Sequence, residues 1–105
     1  MLEQLEAALQ STGLPVAHFG WSEAPEGDYI VYAEDGANDL LADDRHAERA
    51  IEGTVDLFTR DDSGAAQKAV EVALESLWSL AWSLNSAQLE DDTGYIHVEW
   101  VFEAV

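Results

Sequence analysis

An α+β fold is what the sequence predicts: elements in the order α-β-β-β-α-β-β, forming a mainly antiparallel sheet with two helices packed on one face. Three patterns predict it. Leucines recur at helical spacing near the start and apolar residues do so again near the middle, several segments alternate apolar and polar residues with a period of two, and turn residues separate them. The 105 residues fit a single domain, 1–105. A chain of this size buries roughly 60–68% of the surface its unfolded form exposes, enough for cooperative folding.

Leu2, Leu5 and Leu9 form the apolar stripe of a short first helix, and Glu3 and Glu6 suit the positive N-terminal end of its dipole. Gly13 suits a left-handed C′ position, Leu14 the contact that folds back, and Pro15 stops the helix. Val16 to Trp21 is short and β-compatible, and Ser22 to Asp28 breaks regular structure with Pro25 and Gly27. Tyr29 to Ala33 is a β-branched and aromatic run that reads as a central strand.

Glu34 to Arg45 (EDGANDLLADDR) reads as a long exposed acidic loop. Its Leu40 and Leu41 either tuck into the parent core or anchor a neighbouring subunit. From His46 to Arg60 the pattern alternates, with Ile51, Gly53, Val55 and Leu57 on one face and Glu52, Thr54, Asp56 and Arg60 on the other. Phe58 falls on the polar face, where it covers a helix edge or contributes to an interface.

Asp61, Asp62 and Ser63 offer N-caps for a second helix from about Gly64, whose buried stripe is Ala66, Val70, Ala73, Leu74 and Leu77, ending between Trp78 and Leu80. Trp82 to Leu89 and Tyr95 to Ala104 read as a hairpin around Asp91-Asp92-Thr93-Gly94. In its last strand Ile96, Val98, Trp100 and Phe102 share one face, and His97, Glu99 and Glu103 the other. Trp21, Trp78, Trp82 and Trp100 bring large packing surfaces.

Charge is the compositional outlier, with 22 acidic residues against four basic ones and a net charge of −18. Such a surface repels DNA phosphates and anionic lipid, so neither direct nucleic-acid binding nor membrane binding is expected. Three readings account for the acidity: solubility or adaptation to high salt, acidic faces that meet basic partners or line a passage for DNA, and mimicry of DNA by a carboxylate array. No run approaches a membrane span, and the N-terminus lacks the pattern of a secretory signal, which predicts a soluble intracellular protein.

The chain has no cysteine, which excludes disulfides and thiolate chemistry. His18, His46 and His97 fall in different elements, and none stands in a nucleophile motif; surface or structural duty is expected of each. Residues 60–64 and 90–94 place aspartates beside a glycine, yet neither follows the EF-hand order, and capping and turn formation explain them. With no phosphate loop, HExxH or dinucleotide fingerprint, the sequence points to no enzyme activity, no cofactor and no metal.

The stretch LNSAQLEDDTGYIHVEWVFE (Leu84 to Glu103), with APEGDYIVY (Ala24 to Tyr32), ADD (Ala42 to Asp44) and VDLFTR (Val55 to Arg60), resembles small tail-completion proteins of long-tailed phages and prophages. These are head-tail joining or tail-terminator subunits. The resemblance implies an α+β subunit without catalytic residues that assembles into a ring, commonly a hexamer, capping the tail tube and docking to the head connector. It also implies a host-cytoplasmic protein that ends in the virion at the head-tail junction. Asp39, Leu40, Leu41, Asp43, Asp44, Arg45 and Phe58 are the candidate subunit interface. An acidic inhibitor or DNA mimic, occupying the DNA site of a basic host enzyme, is the alternative.

Overall fold

The computed structural model describes residues 1–39 and 49–105, with side chains placed for 1–36 and 50–105. The elements are α1 (Leu2–Gln10), β1 (Val16–His18), β2 (Tyr29–Asp39), β3 (Arg49–Thr59), α2 (Ala65–Glu75), β4 (Leu80–Leu89) and β5 (Ile96–Ala104), in the predicted order. The strands make one five-stranded sheet ordered β1-β2-β3-β5-β4. Pairing is antiparallel except between β1 and β2, which run parallel.

Register explains where the core lies. Ile30, Leu57 and Val98 stand side by side on β2, β3 and β5, as do Tyr32, Val55 and Trp100 in the next row. Side chains opposite one another across a ladder point to the same face, so these rows form one apolar surface. Leu5 and Leu9 of α1 and Val70 and Leu74 of α2 cover that surface, and all four are fully buried. Each such aliphatic side chain contributes about 1.5–3 kcal/mol when removed from water.

Two polar tips reach out of this core and find carboxylates. The indole N–H of fully buried Trp100 donates to Glu71 Oε2 on α2 at 3.0 Å. The Tyr32 hydroxyl donates to Glu6 Oε1 on α1 at 2.7 Å, and burial, together with that carboxylate, holds the phenol protonated well above its ordinary range. Each bond ties one helix to the sheet with a satisfied donor.

Several local expectations are corrected. The segment from Glu34 to Asp39 is the second half of β2, because it pairs with β3 through Asp39 opposite Arg49. The strand predicted from His46 is described from Arg49 onward; the rest of the predicted loop and His46 lie outside the described residues. Gly13 is left-handed, but α1 ends at a right-handed Ser11, and two further turn bonds separate the helix from that glycine. Gly64, with φ of 86°, takes the N-cap position of α2, Ser63 Oγ accepts from the Ala65 N–H that opens the helix, and Asp61 closes the turn before it. The second helix stops at Glu75, and Trp78 is 96% exposed instead of packed.

Gly53 leaves no room for a side chain. It pairs with Glu34, where the β2 register shifts before Gly36, and with Phe102 of β5 on the other side. A Cβ there would fall onto the Ala33 carbonyl oxygen, 2.7 Å from the Phe102 ring and 2.9 Å from the Glu34 Cα. Gly53→Ala is therefore expected to destabilise the fold by about 3 kcal/mol, the upper end for an overpacked site, read as a lowered urea midpoint.

Candidate functional site

The face of the sheet turned away from the helices carries the chemistry, and period-two alternation puts it there. Tyr29, Phe58 and His97 are directly paired across β2, β3 and β5, and Val31, Asp56 and Glu99 make the next row. Tyr29 stacks on Phe58 with ring centroids 4.8 Å apart, and Phe58 on His97 at 4.3 Å. Tyr95 meets Tyr29 and Phe58 edge-on, and the Arg60 guanidinium lies 4.0 Å from the Tyr95 ring centroid. The Tyr95 hydroxyl donates to carbonyl oxygens of the Glu26–Gly27 segment, fastening the hairpin turn to the loop before β2.

Asp56, His97 and Glu99 come together within this platform. His97 Nε2 lies 2.7 Å from Asp56 Oδ1, Glu90 Oε2 lies 3.6 Å from His97 Nδ1, and the Asn85 amide donates to Glu99 Oε1 at 2.7 Å. One potential ligand atom from each of Asp56, His97 and Glu99 falls within 4.8 Å of the others. Burial holds the Asp56 carboxyl above its ordinary range; His97 opposes that rise, and the adjoining Glu99 adds to it. Two carboxylates directly opposite each other repel, and the His97 imidazole hydrogen-bonded to Asp56 works against the resulting rise.

A shallow groove of about 320 Å³ runs alongside, lined by Phe19, Trp21, Tyr29, Phe58, Asp56 and His97 among others. The indole nitrogen of Trp21 is buried there without an acceptor among the described residues. An unmet buried donor costs about 1–3 kcal/mol, a penalty the fold carries at Trp21.

The sheet's edges differ sharply. β4 is an outer strand of ten residues, LAWSLNSAQL, without a single charge, and its Leu84 and Leu89 are 47% and 64% exposed. A long, neutral, open edge is a template for pairing with another strand.

Of the predicted interface residues, Phe58 stands at the centre of the open face and Asp39 ends β2. Leu40, Leu41, Asp43, Asp44 and Arg45 lie outside the described residues. His18 forms a separate pair with Glu34 and stacks on Tyr32. Sequence reasoning placed Asp56, His97 and Glu99 on polar faces but missed that they meet. Their alternation was visible; the register of β3 against β5, which brings them together, was not.

A five-stranded sheet with both helices on one side and an aromatic, acidic open face defines the class of domain. No family model matches the sequence, and no curated protein matches it either. Solved structures share the fold, among them two that align along 98% of this chain. One, identified only by a sequence number, aligns with a TM-score of 0.60 at 12% identity over 98% of this chain and 89% of that chain. The other, a chain from the virion of a native gene transfer agent particle, aligns with a TM-score of 0.57 at 18% identity over 98% of this chain and 88% of that one.

The His18–Glu34 pair gives this region a pH signature. The hydrogen bond from His18 holds the Glu34 carboxyl below its ordinary value. A lowered folded-state pKa stabilises the fold above the unfolded glutamate value of about 4.3, and that contribution drains away as pH falls through the lowered one. Between pH 6 and pH 3 the urea midpoint of the native chain is expected to drop further than that of Glu34→Gln.

Proposed function

We propose that this chain is a structural subunit of a phage or prophage particle. In this reading it is a head-tail joining or tail-terminator protein that forms a ring, a hexamer, capping the tail tube and docking to the head connector. The observation that carries the reading is the shared fold with a virion chain along 98% of this sequence. The resemblance of the Leu84–Glu103 hairpin to tail-completion proteins points the same way. No residue is assigned a catalytic role, and the protein passes from the host cytoplasm into the virion.

Surface physics fits a ring subunit. At −18 per chain, subunits repel one another over most of their surface, so assembly relies on places without charge. β4 is such a place. Its free backbone groups accept a neighbouring strand, and exposed Leu84, Leu89 and Trp78 add apolar area beside it. No helix among the described residues is long and apolar enough to cross a membrane.

Deleting the gene from its particle-producing host should leave heads and tails unjoined in electron micrographs, with joining restored by the native chain. Leu84→Glu with Leu89→Glu, both at exposed positions, should keep the fold by circular dichroism yet fail to restore joining, because charge blunts a sheet edge. Joined particles without the gene would overturn the proposal. So would tight, steeply salt-dependent binding to a basic DNA-handling enzyme, which is what the inhibitor reading expects.

A further inference from the structure

The geometry points to a divalent-cation site made by Asp56, His97 and Glu99 on the open face of the sheet, of the class taken by zinc. Three features carry it. First, the donor set is an imidazole and two carboxylates from adjacent strands, with ligand atoms within 4.8 Å of one another. Small rotamer changes bring atoms so placed to the 2.0–2.2 Å at which such groups ligate zinc, roughly. An imidazole favours borderline first-row ions over calcium or magnesium, which take oxygen ligands.

Second, the outer contacts are those that orient ligands. Glu90 stands 3.6 Å from His97 Nδ1, within reach of a small side-chain movement that would make it the outer carboxylate of a metal-bound imidazole, while Nε2 is the nitrogen turned to Asp56. Asn85 fixes one oxygen of Glu99 by donating to it at 2.7 Å, which leaves the other oxygen for a cation. Stacking against Phe58 holds the imidazole plane.

Third, among the described residues no arginine or lysine side chain reaches the cluster. Arg60 is engaged by the Glu26 and Thr93 carbonyls and the Tyr95 ring, and Lys68 sits on α2, across the sheet. Three carboxylates thus gather around one histidine. A divalent ion settles that imbalance more fully than one proton on His97. The adjoining groove, lined in part by Asp56 and His97, leaves room for water at an open coordination position.

The purified, metal-stripped chain should be titrated calorimetrically with zinc chloride in 150 mM NaCl and excess magnesium, which occupies the diffuse counterion atmosphere. One saturable equivalent with a micromolar dissociation constant is expected. His97→Ala should weaken binding at least 100-fold, and Glu90→Gln, which alters only the outer contact, about 10-fold. His18→Ala, removing the other described His–carboxylate pair, should change nothing. Cobalt(II) in place of zinc should give a visible d–d band lost in Glu99→Gln. Absence of a saturable equivalent in the native chain, or equal affinity in folded His97→Ala, overturns the assignment.

Discussion

The structure depends on β3 being paired along its length on both sides. β2 flanks it on one edge and β5 on the other, so the β3 residues from Ile51 to Phe58 have a partner in both directions. Because side chains alternate with a period of two, that double register decides in one step which residues see the helices and which see water. Slipping either ladder by one residue would turn Val55 and Leu57 outward and bring Asp56 beneath the helices. The cost of burying an unpaired carboxylate makes such a slip prohibitive, so acidity itself helps to specify the fold.

Much of the architecture was legible because it follows from period and punctuation. The leucine stripe of α1, the apolar stripe of α2 and the alternation of β5 name their own core faces: their centres are buried, and Leu2, Ala66, Leu77 and Ile96 at their ends pack against the core partly buried. The misreadings share a cause. Glu34 to Asp39 looks like a loop because its residues are polar and turn-prone, yet a ladder to β3 makes strand of it; pairing partners far along the chain override local propensity. Trp78 looks like core by composition but follows the end of α2, past the helical face that would have buried it.

The open face shows the same limit at the level of chemistry. Alternation alone sends Asp56, His97 and Glu99 away from the helices, but only the β3–β5 register sets Asp56 opposite Glu99 and a diagonal step from His97. Asp56 lies 41 positions before His97 in the chain and further still from Glu99, a separation across which no spacing motif operates. The aromatic row of Tyr29, Phe58 and His97 was similarly scattered through three segments. Of it, only Phe58 was read from sequence as an interface candidate, because an aromatic ring on a polar face is conspicuous.

Acidity, then, shapes more than solubility. On the open face, carboxylates of neighbouring strands are held close enough to need a shared positive charge, and the aromatic rings beside them limit how far water can screen the repulsion. At the sheet's outer edge the opposite solution appears, since β4 excludes charge altogether across ten residues. A strand so free of charge in so acidic a chain leaves an edge where like-charged subunits can approach. The two features lie on different strands and draw on different forces, one electrostatic and one of backbone pairing. A substitution that removes one therefore leaves the geometry of the other in place, which makes their contributions separable by mutation.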